Sequence, residues 1–194
     1  GHIVAIRPLK DGVIADYDTT EKMLTYFIRK VIGRKLFFKP RVIVCIPTGA
    51  TDVEERAASQ ATLSAGAKQA YIVEEPLAAA LGAGVNISDA TGNMVVDIGG
   101  GTSDIAVLSL GGIVCDTSLR VGGDKFDEAI IRFVRREHNL LIGDRTAEDI
   151  KIQVGTACVT PQNRERSIEV RGRDLLTGLP KNIKITSAEC FKAL

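Results

Sequence analysis

Cysteine, histidine, an excess of charge and long apolar runs are all scarce in this 194-residue chain. The four cysteines, Cys45, Cys115, Cys158 and Cys190, lie far apart, in apolar or mixed surroundings and without paired metal-ligand spacing. They read as reduced structural thiols rather than as a metal site or a disulfide framework. His2 and His138 have no cysteine or carboxylate at ligand spacing, so neither carries a metal reading. With 25 basic and 24 acidic residues the net charge is +1, which excludes the strong basic excess of a nucleic-acid footprint. No apolar stretch is long enough to span a membrane, and residues 1–17 lack the charged-then-apolar order of a signal peptide, so a cytosolic location is expected. Hydrophobic residues make up 45%, enough for the core of one large domain or two small ones.

What is present centres on residues 95–104. An apolar run, Met94 to Val96, ends in Asp97; Gly99, Gly100 and Gly101 follow; then a second alternating run leaves from Asp104. This is a strand, a glycine turn and a returning strand. Glycines can take positive φ and let backbone N–H groups approach a phosphate closely. Thr102 and Ser103 add hydroxyls, and Asp97 stands at a strand end where a hydrated Mg²⁺ can be held through its waters. A plain hairpin turn explains the glycines equally well.

The chain opens with a short strand over 3–6 and a turn at 10–14. Thr19 or Thr20 then caps a helix in which Met23, Leu24, Phe27, Ile28 and Val31 share one face, and Gly33 ends it. Next, Leu36, Phe37 and Phe38 sit between basic residues, either tucked under the helix as core or presented as an apolar tip with a basic rim to an anionic bilayer. A strand over 41–46 precedes a capping box, Thr51 with Glu54, that opens a helix through Ser64. After the strand 71–73, Glu74 and Glu75 stand just before Pro76, where the helix dipole favours carboxylates without any chemistry. Residues 85–92 form a polar connector, and strands 94–98, 103–110 and 113–119 form a meander with its second turn at Gly111-Gly112. Helices follow over 125–139 and, capped by Thr146, from 146 onward, where Glu148 and Lys151 are spaced for a surface ion pair. Two strands, 167–171 and 182–186, and a helix beginning at Ser187 complete the pattern.

The motif Asp97-Ile-Gly-Gly-Gly-Thr-Ser-Asp104 resembles the second phosphate loop of the actin, sugar-kinase and heat-shock-chaperone superfamily. Residues 1–17, 74–80, 92–98, 123–128 and 142–151 narrow the resemblance to the MreB/Mbl family of bacterial actins, over nearly the whole chain. The resemblance implies an α/β fold of actin-like ATPase, ribonuclease H-like type, with mixed sheets flanked by helices and a small β-rich subdomain. Its implied parts are 1–91 in a first half (subdomain IA), 92–121 with 187–194 in a second half (IIA), and 122–186 as the small subdomain (IIB).

The resemblance also implies chemistry. Gly99, Gly100, Gly101 and Thr102 contact the phosphates of ATP, Gly123 and Asp124 form a nucleotide-facing loop, and Glu148, Asp149, Ile150 and Lys151 lie on the adenosine side. Asp97 holds Mg²⁺ through water. Glu75, with Glu74 in reserve, orients the attacking water, since phosphoryl transfer needs mainly positioning and charge neutralisation. Family members are peripheral membrane filaments at the inner face of the cell membrane that direct cell-wall synthesis and rod shape. The implied partners are therefore other copies of the chain, the membrane surface through Leu36, Phe37 and Phe38, and wall-building proteins. The family's first phosphate loop, Asp-Leu-Gly-Thr, and its C-terminal Gly-Gly adenosine loop do not occur in the 194 residues, so an internal piece of a longer protein is expected. A non-polymerising ATPase of sugar-kinase or chaperone type is the alternative.

Overall fold

The computed structural model describes residues 6–33 and 39–194, in two compact units, Gly1–Gly122 and Gly123–Leu194. The strand expected over 3–6 and the tip Leu36, Phe37, Phe38 fall mostly or wholly outside the described residues.

The first unit opens with a hairpin of β1 (Leu9–Lys10) and β2 (Val13–Ile14), turned by Asp11 at φ 51° and Gly12 at φ 77°. Positive φ at both central residues gives the turn whose twist matches antiparallel strands, and Asp-Gly is a sequence that favours it. Helix α1 (Tyr17–Ile32) is capped by Asp16, whose carboxylate accepts from the Thr19 amide at 2.9 Å. This replaces the expected Thr19 or Thr20 cap. Thr20 instead is buried, its hydroxyl donating to the Asp16 carbonyl. Met23, Leu24 and Ile28 are half-buried as expected, whereas Phe27 and Val31 are exposed, because nothing described packs on the last turns of their stripe.

β3 (Arg41–Ile46), α2 (Asp52–Ser64) and β4 (Gln69–Glu74) form a βαβ unit with the two strands parallel, Arg41 opposite Gln69 through Ile46 opposite Glu74. The Thr51–Glu54 capping box forms in both directions, the Thr51 amide donating to Glu54 Oε2 at 2.8 Å and the Glu54 amide to Thr51 Oγ1 at 3.3 Å. α3 (Glu75–Gly82) follows β4 without a break, with Pro76 in its first turn, where no amide is needed. The meander β5 (Asn93–Ile98), β6 (Ser103–Ser109) and β7 (Gly112–Leu119) is antiparallel throughout. Its second turn is Leu110-Gly111, both at positive φ, one residue before the expected pair. Ala80 of α3, Ile87 and Leu108 of β6 form the core between that helix and one face of the meander.

In the second unit α4 (Gly123–His138) and α5 (Asp144–Val154) pack on a three-stranded antiparallel sheet of β8 (Leu140–Leu141), β9 (Ser167–Asp174) and β10 (Pro180–Thr186). Ile130, Phe133 and Val134 of α4, spaced i, i+3, i+4, meet Ile150 and Val154 of α5 and Ile185 of β10. Burying each of these side chains contributes about 1.5–3 kcal/mol. α5 starts at Asp144 after Gly143, so Thr146 lies inside the helix and is not its cap. α6 (Ser187–Ala193), capped by Thr186 with Glu189, packs on α4, α5 and β10. All four cysteines are free, but only Cys190 is buried in a core; Cys45, Cys115 and Cys158 are exposed, so the structural reading holds for one of them. His138 does have a carboxylate neighbour, Glu189, 3.1 Å from Nε2.

Candidate functional site

The glycine loop joins β5 to β6 and is closed by one bond, the Gly99 amide donating to the Thr102 carbonyl at 2.8 Å. Gly99 and Gly100 are exposed, Gly101 is half-buried and Thr102 is buried. None of Gly99, Gly100 or Gly101 takes positive φ, contrary to the expectation from composition. Close approach is what demands them. A Cβ on Gly101 would stand 2.7 Å from Asp11 Cα in the β1–β2 turn, and one on Gly122 would stand 2.6 Å from the Gly99 carbonyl oxygen. The loop is thus clamped between two other backbone segments, while the Gly100 and Gly101 amides donate to nothing among the described residues. Free amides at an exposed, clamped bend form a concavity that accepts an anion.

Asp97, next to last in β5, stands directly opposite Asp104 of β6, so both carboxylates lie on one face of the meander. Along β6 every second residue is buried, Asp104, Ala106 and Leu108. A charged residue on that inward row needs a partner. Asp104 Oδ1 accepts from the Thr48 amide at 3.0 Å and from the Thr48 hydroxyl at 3.1 Å, tying the end of β3 to β6. Behind the loop, Ser103 donates to the Val121 carbonyl at 2.7 Å and Arg120 pairs with Glu54 at 3.1 Å, joining the loop's neighbours to the start of α2.

Glu75 and Glu74 separate clearly. Glu74 is exposed, whereas Glu75 is half-buried and borders a cavity of about 210 Å³ walled by Leu9, Ile14, Met23, Leu24 and Cys45. Burial first, then the charges of Asp104 and Asp97, push the Glu75 carboxyl above its ordinary value. The Cys45 thiol is raised by the same surroundings, burial first and then Glu75 and Asp97. Glu75, Asp97 and Asp104 therefore act electrostatically on one region of the first unit. Among the described residues no group of three or more His, Cys, Asp or Glu converges as a metal cage. Asp97, half-buried at its strand end, fits a hydrated Mg²⁺ held through water, not a bare ion.

The remaining sequence-predicted residues lie in the second unit. Gly123 opens α4 and Asp124 is half-buried in its first turn. Glu148 and Asp149 are exposed on α5, while Ile150 is fully buried in the core. Lys151 does not pair with Glu148; its ammonium donates to Asp127 Oδ2 at 2.9 Å and to the Gly123 carbonyl at 3.2 Å, fastening α5 to the start of α4. Sequence reasoning missed Asp104, Thr48 and Asp127 as organising residues. The available signal for Asp104 and Asp127 was a carboxylate at an inward position of a periodic pattern.

The family model described as MreB/Mbl protein matches residues 1–194. The chain is 54% identical over 194 residues to the cell shape-determining protein Mbl of Bacillus cereus, covering all of this chain and 58% of that protein. It is 53% identical over 195 residues to the cell shape-determining protein MreB of Escherichia coli, again covering all of this chain and 56% of that protein. Among solved structures, MreB5 of Spiroplasma citri bound to ADP matches at TM-score 0.88 and 39% identity, covering 97% of this chain and 56% of that one; its AMPPNP-bound form matches at 0.85. The chain thus spans little more than half the length of these relatives, and its mixed α/β architecture is actin-like.

Proposed function

The chain belongs to the MreB/Mbl family, and from that premise we propose that it supplies much of an ATP site to a longer protein that polymerises under the cell membrane and directs wall synthesis. The observation that carries this reading is the clamped glycine loop with two free amides, set in the same unit as a half-buried carboxylate of raised proton affinity. The Gly100 and Gly101 amides, with Thr102, take the γ- and β-phosphate oxygens. Asp97 holds Mg²⁺ through its waters, and that ion, when bound, neutralises phosphate charge. Glu75 orients the attacking water and accepts its proton. Glu148 and Asp149 provide part of the adenosine side, and Gly123 with Asp124 a nucleotide-facing loop, while buried Ile150 and the Lys151–Asp127 pair hold the α5 segment in place. The ADP- and AMPPNP-bound forms of the Spiroplasma citri relative support nucleotide as the ligand.

In the full-length protein, Glu75→Ala is expected to slow phosphate release by at least about tenfold while sparing nucleotide binding, the range for a positioned proton acceptor. An unchanged rate transfers the role to Glu74 or to neither. Sedimentation with ATP and with ADP tests assembly: no pellet under either nucleotide would favour a non-polymerising ATPase of the superfamily. Changing Phe37 and Phe38 to Ser is expected to abolish liposome binding, and retained binding would remove those residues from the membrane surface.

A further inference from the structure

Asp127 of α4 and Lys151 of α5 form a largely buried ion pair, their side chains 12% and 23% exposed and 2.9 Å between Oδ2 and Nζ. Asp127 falls on the inward stripe of α4 with buried Ile130 and Val134, so its carboxylate enters an apolar face. Lys151 follows buried Ile150, and its ammonium also donates to the Gly123 carbonyl at 3.2 Å. Neither group is used up. Asp127 Oδ1 is buried without a hydrogen-bond partner, and the third ammonium hydrogen has no acceptor among the described residues. Stability alone does not account for the pair, because apolar side chains of similar volume in place of a buried ion pair are often as stable or more so. What the pair does supply is a donor with a fixed direction. A lysine ammonium rides on a flexible four-carbon stem; held by Asp127 on one hydrogen and by Gly123 on another, it has one way left to point the third.

We propose, resting on the nucleotide reading above, that Asp127 is a positioning residue: it holds Lys151 so that the third ammonium hydrogen meets a sugar hydroxyl of the nucleotide, and thereby sets a preference for a ribonucleotide. Asp127 acts on the nucleotide only through Lys151. The charge of the ammonium is already balanced by the carboxylate, which makes it a poor counter-ion for phosphate and a good donor to a neutral oxygen. Reading a base edge takes a donor and an acceptor together, and Lys151 offers a donor alone. Asp127 Oδ1, enclosed and polar, takes a water, which completes the carboxylate's hydrogen bonding without drawing Lys151 away. Because the donor is aimed before the ligand arrives, binding does not have to order the long side chain.

The test compares the affinity of the full-length protein for ATP and for 2′,3′-dideoxy-ATP, which lacks both sugar hydroxyls. The parent should bind ATP at least about tenfold more tightly, because the analogue leaves the ammonium hydrogen without an acceptor. Asp127→Asn keeps the shape but gives up the charge that holds Lys151, and should bring the two affinities within about threefold by weakening ATP and sparing the analogue. Equal weakening of both would mean that the pair only fastens α5, and overturns the proposal. Asp127→Leu combined with Lys151→Met fills the same space without charge, so it should unfold in urea near the parental midpoint yet show no sugar preference. A parental preference in either variant also overturns the proposal. Inosine triphosphate, with an intact sugar and an altered base edge, should weaken alongside ATP in Asp127→Asn; an unchanged affinity would assign Lys151 to the base and overturn the sugar contact. Should neither variant fold, a crystal structure of the parent with AMPPNP decides: Lys151 Nζ within about 3.2 Å of a sugar hydroxyl and still paired with Asp127 supports the proposal. Lys151 turned away from either overturns it. If the parent binds no ATP the nucleotide reading itself falls, whereas tight ATP binding with no sugar preference in the parent sinks this inference alone.

Discussion

At the scale of the residue, the sign of the Glu75 shift makes a prediction about pH. Its carboxyl is raised above 4.5, by burial first and by Asp104 and Asp97 after it. The folded chain therefore holds that proton more tightly than the unfolded chain does. Keeping Glu75 ionised costs stability above the raised value, and the cost vanishes as pH falls through it. Hydrolysis responds the other way, because the acceptor must be bare. The acid limb of the rate profile is expected to lie above pH 4.5, and Asp104→Asn, which removes one of the opposing charges, is expected to move it lower. A limb at or below 4.5 in the parent would exclude Glu75 as the titrating acceptor. The role of Glu75 beside the loop came from the family resemblance, because a carboxylate just before Pro76 at a helix start has an explanation without chemistry. Asp104 was not legible, because its importance comes from Thr48, which is 56 positions away in sequence.

At the scale of the element, helix starts show where sequence reading succeeds and where it stops. Thr51 with Glu54 matched a two-residue signature and forms as read. Thr146 offered the same residue type, but the helix had already begun at Asp144, directly after Gly143, which stands in extended conformation as the N-cap. The contrast is measurable. Thr51→Ala should cost about 1 kcal/mol in urea unfolding, whereas Thr146→Ala, with no cap to lose, should stay within about 0.5 kcal/mol. Comparable losses at both sites would mean that Thr146 stabilises α5 after all. Two-residue β8 left no periodic trace to read, and its place beside β9 is set by tertiary packing of Leu140, not by local preference.

At the scale of the whole molecule, alternation named the strands but could not say which faces another element covers. On β5 the outward row Met94, Val96 and Ile98 is 69%, 55% and 61% exposed, and Ile43 on β3 is 67% exposed. Contiguous apolar rows of this kind mark surfaces that meet something else. The chain covers 58% and 56% of two relatives that it matches along its full length. The 194 residues expressed alone are expected to enhance ANS fluorescence several-fold more per mole than the full-length protein. Equal enhancement would mean that these rows stay open in the longer protein too.

The contact between Gly101 and the Asp11-Gly12 turn has a consequence for how such a chain can drift. A Cβ on Gly101 would meet the Asp11 and Gly12 main chain, and one on Gly12 would meet Pro47 Cγ at 2.6 Å and Thr102 Cγ2 at 2.9 Å, so neither glycine has room for even a methyl group. Compensation, the usual escape for a packed pair in which one side chain shrinks as its neighbour grows, is closed to them because neither has anything to give up. Random mutagenesis selected for function should therefore leave both glycines untouched together, and no suppressor of a change at one should ever map to the other.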